Sequence, residues 1–196
     1  MVNSKKNFYI IAGPNGAGKT TLSKVLLKDV FKCQNFVNAD EIAKGIAPAQ
    51  TQTQKYDILA AKMMLDQIDS HIKNSEDFCV ETTLASKSYL QKIKKLKAIG
   101  YKISLFFIYL PNENFAIKRV EQRVSGGGHN IELSTIKRRY KKGLENLMNE
   151  YFDRVDELYI YGNHDGLKNI AQKVDGILSI NDEGVFAKIK KYQNGN

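Results

Sequence analysis

Residues Asn7–Leu26 read NFYIIAGPNGAGKTTLSKVL, and this stretch decides the fold. FYIIA (Phe8–Ala12) is a short apolar run rich in β-formers, and Lys19–Val30 then switches to helical spacing through Leu22, Val25 and Leu26. Between them Gly13-Pro14-Asn15-Gly16-Ala17-Gly18-Lys19-Thr20 fits GxxxxGK[ST], directly after a strand and directly before a helix, the context that gives the pattern weight. The glycines let the backbone curl so that successive N–H groups point inward as an anion nest, and the helix starting near Gly18 adds its positive end. Gly13, Pro14, Asn15, Gly16, Ala17, Gly18, Lys19, Thr20 and Thr21 are therefore the expected nucleotide-binding residues. Lys19 is expected to reach the β- and γ-phosphates of ATP, and the Thr20 hydroxyl to ligate Mg²⁺. The competing reading is a glycine-rich turn that binds nothing.

Outward from this motif the chain alternates. FVNAD (Phe36–Asp40) is a second strand candidate. Ile58, Ala61, Leu65, Ile68 and Ile72 mark an amphipathic helix over 57–75 with one buried face. FCVET (Phe78–Thr82) reads as a third strand, and KISLFFIYL (Lys102–Leu110) as a strand buried on both faces. Helices are expected around Phe115–Val124 and Ile136–Tyr151, strands at Glu157–Tyr161 and Gly176–Ile180, then a C-terminal helix. Strands alternating with helices imply an α/β fold with a mostly parallel sheet of five or six strands, flanked by helices on both faces. With the phosphate loop this is a kinase-like P-loop NTPase. No repeat or linker divides the chain, so residues 1–196 read as a single domain with a lid region at about 112–150.

Ligands in such sheets bind beyond the carboxyl ends of the strands, so the residues that close the strands are the candidates for chemistry. Asp40 closes the second strand and could accept a proton from an attacking hydroxyl; it could equally be the N-cap of a helix starting at Glu41. Glu81 closes the third strand and could orient Mg²⁺ or contact the acceptor. Thr82 or Thr83 is expected to cap the following helix. Arg119, Arg123, Arg138 and Arg139 bracket SGGGHN (Ser125–Asn130), two helices joined by a glycine-rich hinge. They look like a lid that brings guanidinium groups to a phosphoryl group in transfer; about half of such arginines are expected to be plain surface charges. His71, His129 and His164 stand isolated. Val124–His129 resembles the LSGGQ signature of transporter-type ATPases, but a basic helix follows where that family has an apolar strand ending in Asp-Glu, so the match is accidental.

Thirty Lys+Arg against 21 Asp+Glu give a formal charge of +9, which favours anionic partners without choosing among them. Much of the basicity lies on KIKKLKAIGYK (Lys92–Lys102) and KRRYKK (Lys137–Lys142). The first reads as a solvated helix face, because Leu90, Ile93, Leu96 and Ile99 recur along its other side. Cys33 and Cys79 lack disulfide or zinc spacing. No run is apolar enough for a signal segment or a membrane span, so a cytoplasmic location without membrane contact is expected.

Taken together, the phosphate loop, NADEIAKG, VETT, GYKISLFFIYLP and RVEQRVSGGGHN…IKRRY resemble the zeta toxin family of P-loop kinases, over roughly Phe8–Tyr161. The lid is most similar to the short, stand-alone branch of that family. The resemblance implies a bacterial kinase that uses ATP and Mg²⁺ to phosphorylate a sugar hydroxyl of UDP-N-acetylglucosamine or a related UDP-sugar, with an antitoxin as a possible protein partner. On it, Lys19 matches the phosphate-loop lysine, Asp40 the catalytic base, and Glu81 and Thr83 the acceptor contacts. Arg123 and one of Arg138 or Arg139 match the lid arginines, with Arg119 beside them. Two other readings stay open: a kinase of a nucleoside or polynucleotide 5′-hydroxyl, and a nucleotide-gated binding module. Nucleic acid ranks lower because no stretch interleaves aromatic and basic residues for base stacking.

Overall fold

The structure is a computed structural model that describes residues 5–46, 54–127 and 130–193. Its strands are β1 (Asn7–Ala12), β2 (Phe36–Asn38), β3 (Phe78–Thr82), β4 (Lys102–Tyr109), β5 (Glu157–Asn163), β6 (Leu167–Val174) and β7 (Ile177–Ile180). They form one seven-stranded sheet in the order β2-β3-β1-β4-β5-β6-β7. The first five run parallel, while β5–β6 and β6–β7 pair antiparallel. The α/β P-loop architecture is therefore as the sequence predicted, with a larger sheet than the five or six strands expected.

The strand missed by sequence reading is β6, and its pairing explains why. Ile160 pairs with Ala171 but Tyr161 pairs with Asn169, so Ile170 is an extra, bulged residue. Ile170 and Ala171 are consequently buried side by side, which destroys the period of two that marks a strand. Beyond it, Asp175 and Gly176 at φ of 51° and 77° form the two-residue turn favoured in hairpins, and β7 starts at Ile177.

The strands divide their side chains between two unequal faces. Phe8, Ile10, Phe78, Val80, Ile103, Leu105, Leu158 and Ile160 belong to the main core. Ile11, Cys79 and Phe106 face the other way, against Leu26, Leu27 and Phe31. These last three lie where α1 (Lys19–Val25) widens into a π-type turn over Leu26–Phe31. That turn stacks Phe31 on Tyr9 with ring centroids 3.9 Å apart and sets it, tilted, 5.0 Å from Phe106, which stacks in turn on Tyr159 at 4.7 Å, so this helix and a row of four rings cover this face. Both cysteines are buried free thiols.

The remaining helices are α2 (Ala39–Ile46), α3 (Gln54–Lys73), α4 (Leu90–Ala98), α5 (Glu113–Ser125), α6 (Leu133–Asn146) and α7 (Glu183–Lys190). In α3 the buried stripe is Ala60, Met64 and Ile68; of the predicted stripe Ile68 is buried and Ile72 packs against the core, while the rest is corrected, since Ile58 is 65% and Leu65 38% exposed and Ala61 is exposed. The two stripes share Ile68 and differ, in the first turns, by a rotation of about one residue along the helix. In α4, Ile93 and Leu96 are buried while Ile99 lies past the helix end, exposed. Helix α6 is built into the core through Ile136, Tyr140 and Leu144, with the Tyr140 hydroxyl donating to the Leu110 carbonyl at 2.8 Å. Gly128 and His129 of the expected hinge lie outside the described residues. No helix among the described residues is long and apolar enough to cross a membrane.

Phe78 is fully buried and stacks on Phe8 at 4.6 Å. Phe78→Ala should therefore lower unfolding free energy by about 3–5 kcal/mol, read as a drop in the urea midpoint at unchanged slope.

Candidate active site

The phosphate loop leaves the end of β1 through Gly13, whose φ is 142°. A Cβ there would lie 2.4 Å from the Ile108 carbonyl oxygen on β4, so only glycine lets the chain turn this close to the sheet. The loop is held from outside as well: Asn163, at the end of β5, donates its Nδ2 to the Ala17 carbonyl at 2.8 Å. Arg119 on α5 reaches the Gly16 carbonyl at 3.5 Å.

Lys19 opens α1 and is 8% exposed. Its Nζ donates to the Pro14 carbonyl at 3.0 Å. Burial pushes the ammonium pKa down, the Glu81 and Asp40 carboxylates pull it back up, and Arg139 and Arg123 push it down further. One residue on, the Thr20 hydroxyl lies 3.0 and 3.2 Å from the two Glu81 carboxylate oxygens and donates to them. Glu81 sits at the end of β3 beside β1, in register Ile11↔Glu81, and burial raises its pKa against the pull of Lys19 and Thr20.

Asp40 is not the N-cap considered from sequence. Helix α2 already starts at Ala39, and Asn38 does the capping: its Oδ1 accepts from the Asp40 backbone N–H at 2.9 Å. The Asp40 carboxyl is thereby left to the cleft. The threonines after Glu81 do not cap a helix either, because α4 begins at Leu90. Thr82 instead accepts from the Leu84 N–H at 3.1 Å, closing a local turn.

Two cavities meet here. One, of about 400 Å³, is lined by the phosphate loop with Thr20, Thr21, Arg119 and Arg123. The other, of about 210 Å³, is lined by Thr82, Thr83, Ser86, Ser88, Tyr89 and Arg139. Asn15, Lys19, Asn38, Asp40 and Glu81 line both, so four of the sequence-predicted residues, Asn15, Lys19, Asp40 and Glu81, stand on the seam, while Gly13, Pro14 and Ala17 line neither cavity. Arg138, the alternative to Arg139, is exposed and lines neither cavity.

Sequence reading missed the residues that hold the second cavity in shape. A Cβ on Gly143 of α6 would lie 2.6 Å from the Thr83 carbonyl oxygen, so the missing side chain lets α6 press on the loop after β3. Asn146 is buried and donates to the Leu84 carbonyl at 2.8 Å, and the Tyr151 hydroxyl donates to Ser86 at 3.2 Å. A glycine inside the otherwise helical KKGLEN was the available signal, since it costs a helix about 1 kcal/mol and asks for a packing reason.

The residues fit a nucleotide with Mg²⁺. Asn15 is buried and its side-chain oxygen has no hydrogen-bond partner; an amide orphaned at the mouth of an anion nest is satisfied by a ligand, and with its ends exchanged it offers N–H to a phosphate oxygen. Thr20 and Glu81 bring a hydroxyl and a carboxylate oxygen together, the small oxygen set that Mg²⁺ takes from protein when phosphates and water complete its shell. No cluster of three or more His, Cys, Asp or Glu suited to a metal occurs among the described residues.

This phosphate loop, on this sheet order, defines a kinase-like P-loop fold. The zeta toxin family model matches residues 2–175, and the chain belongs to that family. An uncharacterized protein of Haemophilus influenzae is 31% identical over 140 residues, 71% of this chain and 95% of that one. In fold the chain is similar to AvrRxo1-ORF1:-ORF2, solved with ATP, at a TM-score of 0.75 and 19% identity, covering 95% of this chain but 64% of that one. It is also similar to a chain of the PezAT chromosomal toxin-antitoxin system of Streptococcus pneumoniae, at 0.59 and 15% identity, covering 100% of this chain and 81% of that one.

Gly143→Ala should cost about 1–3 kcal/mol through the clash with Thr83, read as a lower thermal midpoint. The same change at Gly45, where nothing lies within 4 Å of the added Cβ, should leave the midpoint unchanged or raise it slightly.

Proposed function

We propose that this protein is an ATP-dependent small-molecule kinase that transfers the γ-phosphate to a sugar hydroxyl, with Mg²⁺ as cofactor. The observation that carries the reading is the seam: Lys19 and Asp40 border two cavities at once, as expected where a donor and an acceptor must meet. Bound at Thr20 and Glu81, Mg²⁺ would supply positive charge to the phosphate oxygens. In the larger cavity the loop N–H groups and Lys19 hold the phosphates of ATP, and Arg119 and Arg123 face them from α5. In the smaller one Thr83 and Glu81 orient the acceptor. Asp40 takes the proton of the acceptor hydroxyl as its oxygen bonds to the γ-phosphorus and the bond to the bridging oxygen of ADP breaks. Lys19 meets the charge that develops on the phosphoryl oxygens from a desolvated position, where a cation is worth most.

The acceptor nominated by the family resemblance is UDP-N-acetylglucosamine or a related UDP-sugar, and a cytoplasmic site of action with an antitoxin-type protein partner belongs to the same proposal. Incubation with ATP, Mg²⁺ and a panel of UDP-sugars should yield a phosphorylated sugar nucleotide, detected by mass. Asp40→Asn should lower the rate by about 10²-fold or more while ATP affinity stays within a few-fold, whereas Lys19→Ala should weaken ATP binding itself. Tight ATP binding with no transfer to any UDP-sugar, nucleoside or polynucleotide 5′-hydroxyl would leave a nucleotide-binding module in place of the kinase.

A further inference from the structure

We propose that Asn163 is a positioning residue for phosphate binding: it holds the Ala17–Gly18 peptide group in the orientation that turns the Gly18 N–H into the anion nest. The proposal rests on the nucleotide-binding half of the reading above and not on transfer.

Asn163 is the last residue of β5, and β4 lies between that strand and β1. The loop comes within its reach because it turns at Gly13 over the Ile108 carbonyl of β4, and the contact joins residues 146 apart in sequence. A carbonyl only accepts, so the amide presents its nitrogen, 2.8 Å from the Ala17 oxygen. In a planar trans peptide the C=O of one residue and the N–H of the next point in opposite directions. A donor that draws the Ala17 oxygen outward therefore sends the Gly18 N–H inward.

The residue acted on is the one that needs such a hold. Gly18 precedes α1 at φ 89° and ψ 21°, with no side-chain hydrogen bond to cap the helix. Glycine takes positive and negative φ about equally readily, so the Ala17–Gly18 peptide flips at little cost unless it is tied, and the flipped form aims a carbonyl oxygen at the phosphate. The other loop carbonyls are engaged differently. Pro14 accepts from the Ala17 N–H at 3.2 Å and from Lys19 Nζ at 3.0 Å, both within the loop, and Gly16 meets Arg119 only at 3.5 Å. The same glycine also makes room for the tie, since a Cβ on Gly18 would lie 2.9 Å from Asn163 Nδ2.

The test is calorimetric titration of Mg²⁺-pyrophosphate and Mg²⁺-ADP into the wild type and Asn163→Ala, with the thermal midpoint of each free protein recorded alongside. Asn163→Ala should bind both ligands about three- to tenfold more weakly, the effect of one hydrogen bond, and by the same factor, because the nest meets only phosphate. Gly18→Ala should itself push the amide away, so adding Asn163→Ala to it should cost little further affinity. Unchanged affinity for both ligands overturns the proposal, even with a lower thermal midpoint, the mark of a merely structural tie. So does a loss for ADP alone, which sets Asn163 against the nucleoside, and so do additive losses in the double variant. Nuclear magnetic resonance of the wild type keeps the question open to an answer if Asn163→Ala fails to fold. A scalar coupling across the hydrogen bond from Asn163 Nδ2 to the Ala17 carbonyl carbon should be present before ligand is added, and the Gly18 amide proton should move downfield when pyrophosphate binds; the absence of either overturns the proposal. Binding of neither ligand by the wild type defeats the nucleotide reading together with the proposal, whereas equal affinities in wild type and Asn163→Ala defeat the proposal alone.

Discussion

The ammonium of Lys19 sits in a place that water barely reaches, bonded to a backbone carbonyl, with carboxylates near enough to be felt but not in contact. Removing an ion from water carries an effective penalty of several kcal/mol even after relaxation, and the surroundings return only part of it. The architecture around the loop keeps that charge where it is. β1 delivers the loop, Gly13 lets it turn against β4, and Asn163 and Arg119 hold its carbonyls. Charge left incompletely paired in this way is what makes an anion welcome.

The same economy appears at Glu81. Its carboxylate could have formed a closed ion pair with Lys19, which would have satisfied both groups and silenced the site. It is instead engaged by the Thr20 hydroxyl, a weaker partner that a cation can displace. Asp40 is freed for the cleft because Asn38 relieves it of capping duty. Chemistry and stability are thus separated between adjacent residues of one turn, the asparagine serving the helix and the aspartate the cavity.

Sequence carried the local parts of this picture and lost those that depend on distant contacts. GPNGAGKT was legible because strand, glycines and helix lie in one unbroken stretch, and Asp40 and Glu81 because each ends a short apolar run. The strand Leu167–Val174 was not, since a bulge at Ile170 sets two buried residues side by side and only the pairing with β5 reveals it. The stripe on α3 was misread because Ile58 and Leu65 are as apolar as the residues actually buried, and nothing in their spacing says which side meets the core. Choosing Arg139 over Arg138 needed the direction in which α6 faces the loop after β3, and that is fixed by Gly143 meeting a carbonyl sixty residues away in sequence.

The stacked rings on the thinly covered side of the sheet bear on how the molecule can respond to a guest. The helix whose first turn cradles phosphate ends in Phe31, clamped between Tyr9 and Phe106, so this rod is anchored at its head by the loop and at its tail by aromatic contact. A rod held at both ends has less freedom to swing than one held at its head alone, which favours a constant depth for the anion nest. Accommodation of guests of different shape is thereby assigned to the opposite wall, where long side chains on two helices can change rotamer without disturbing the anvil against which they work.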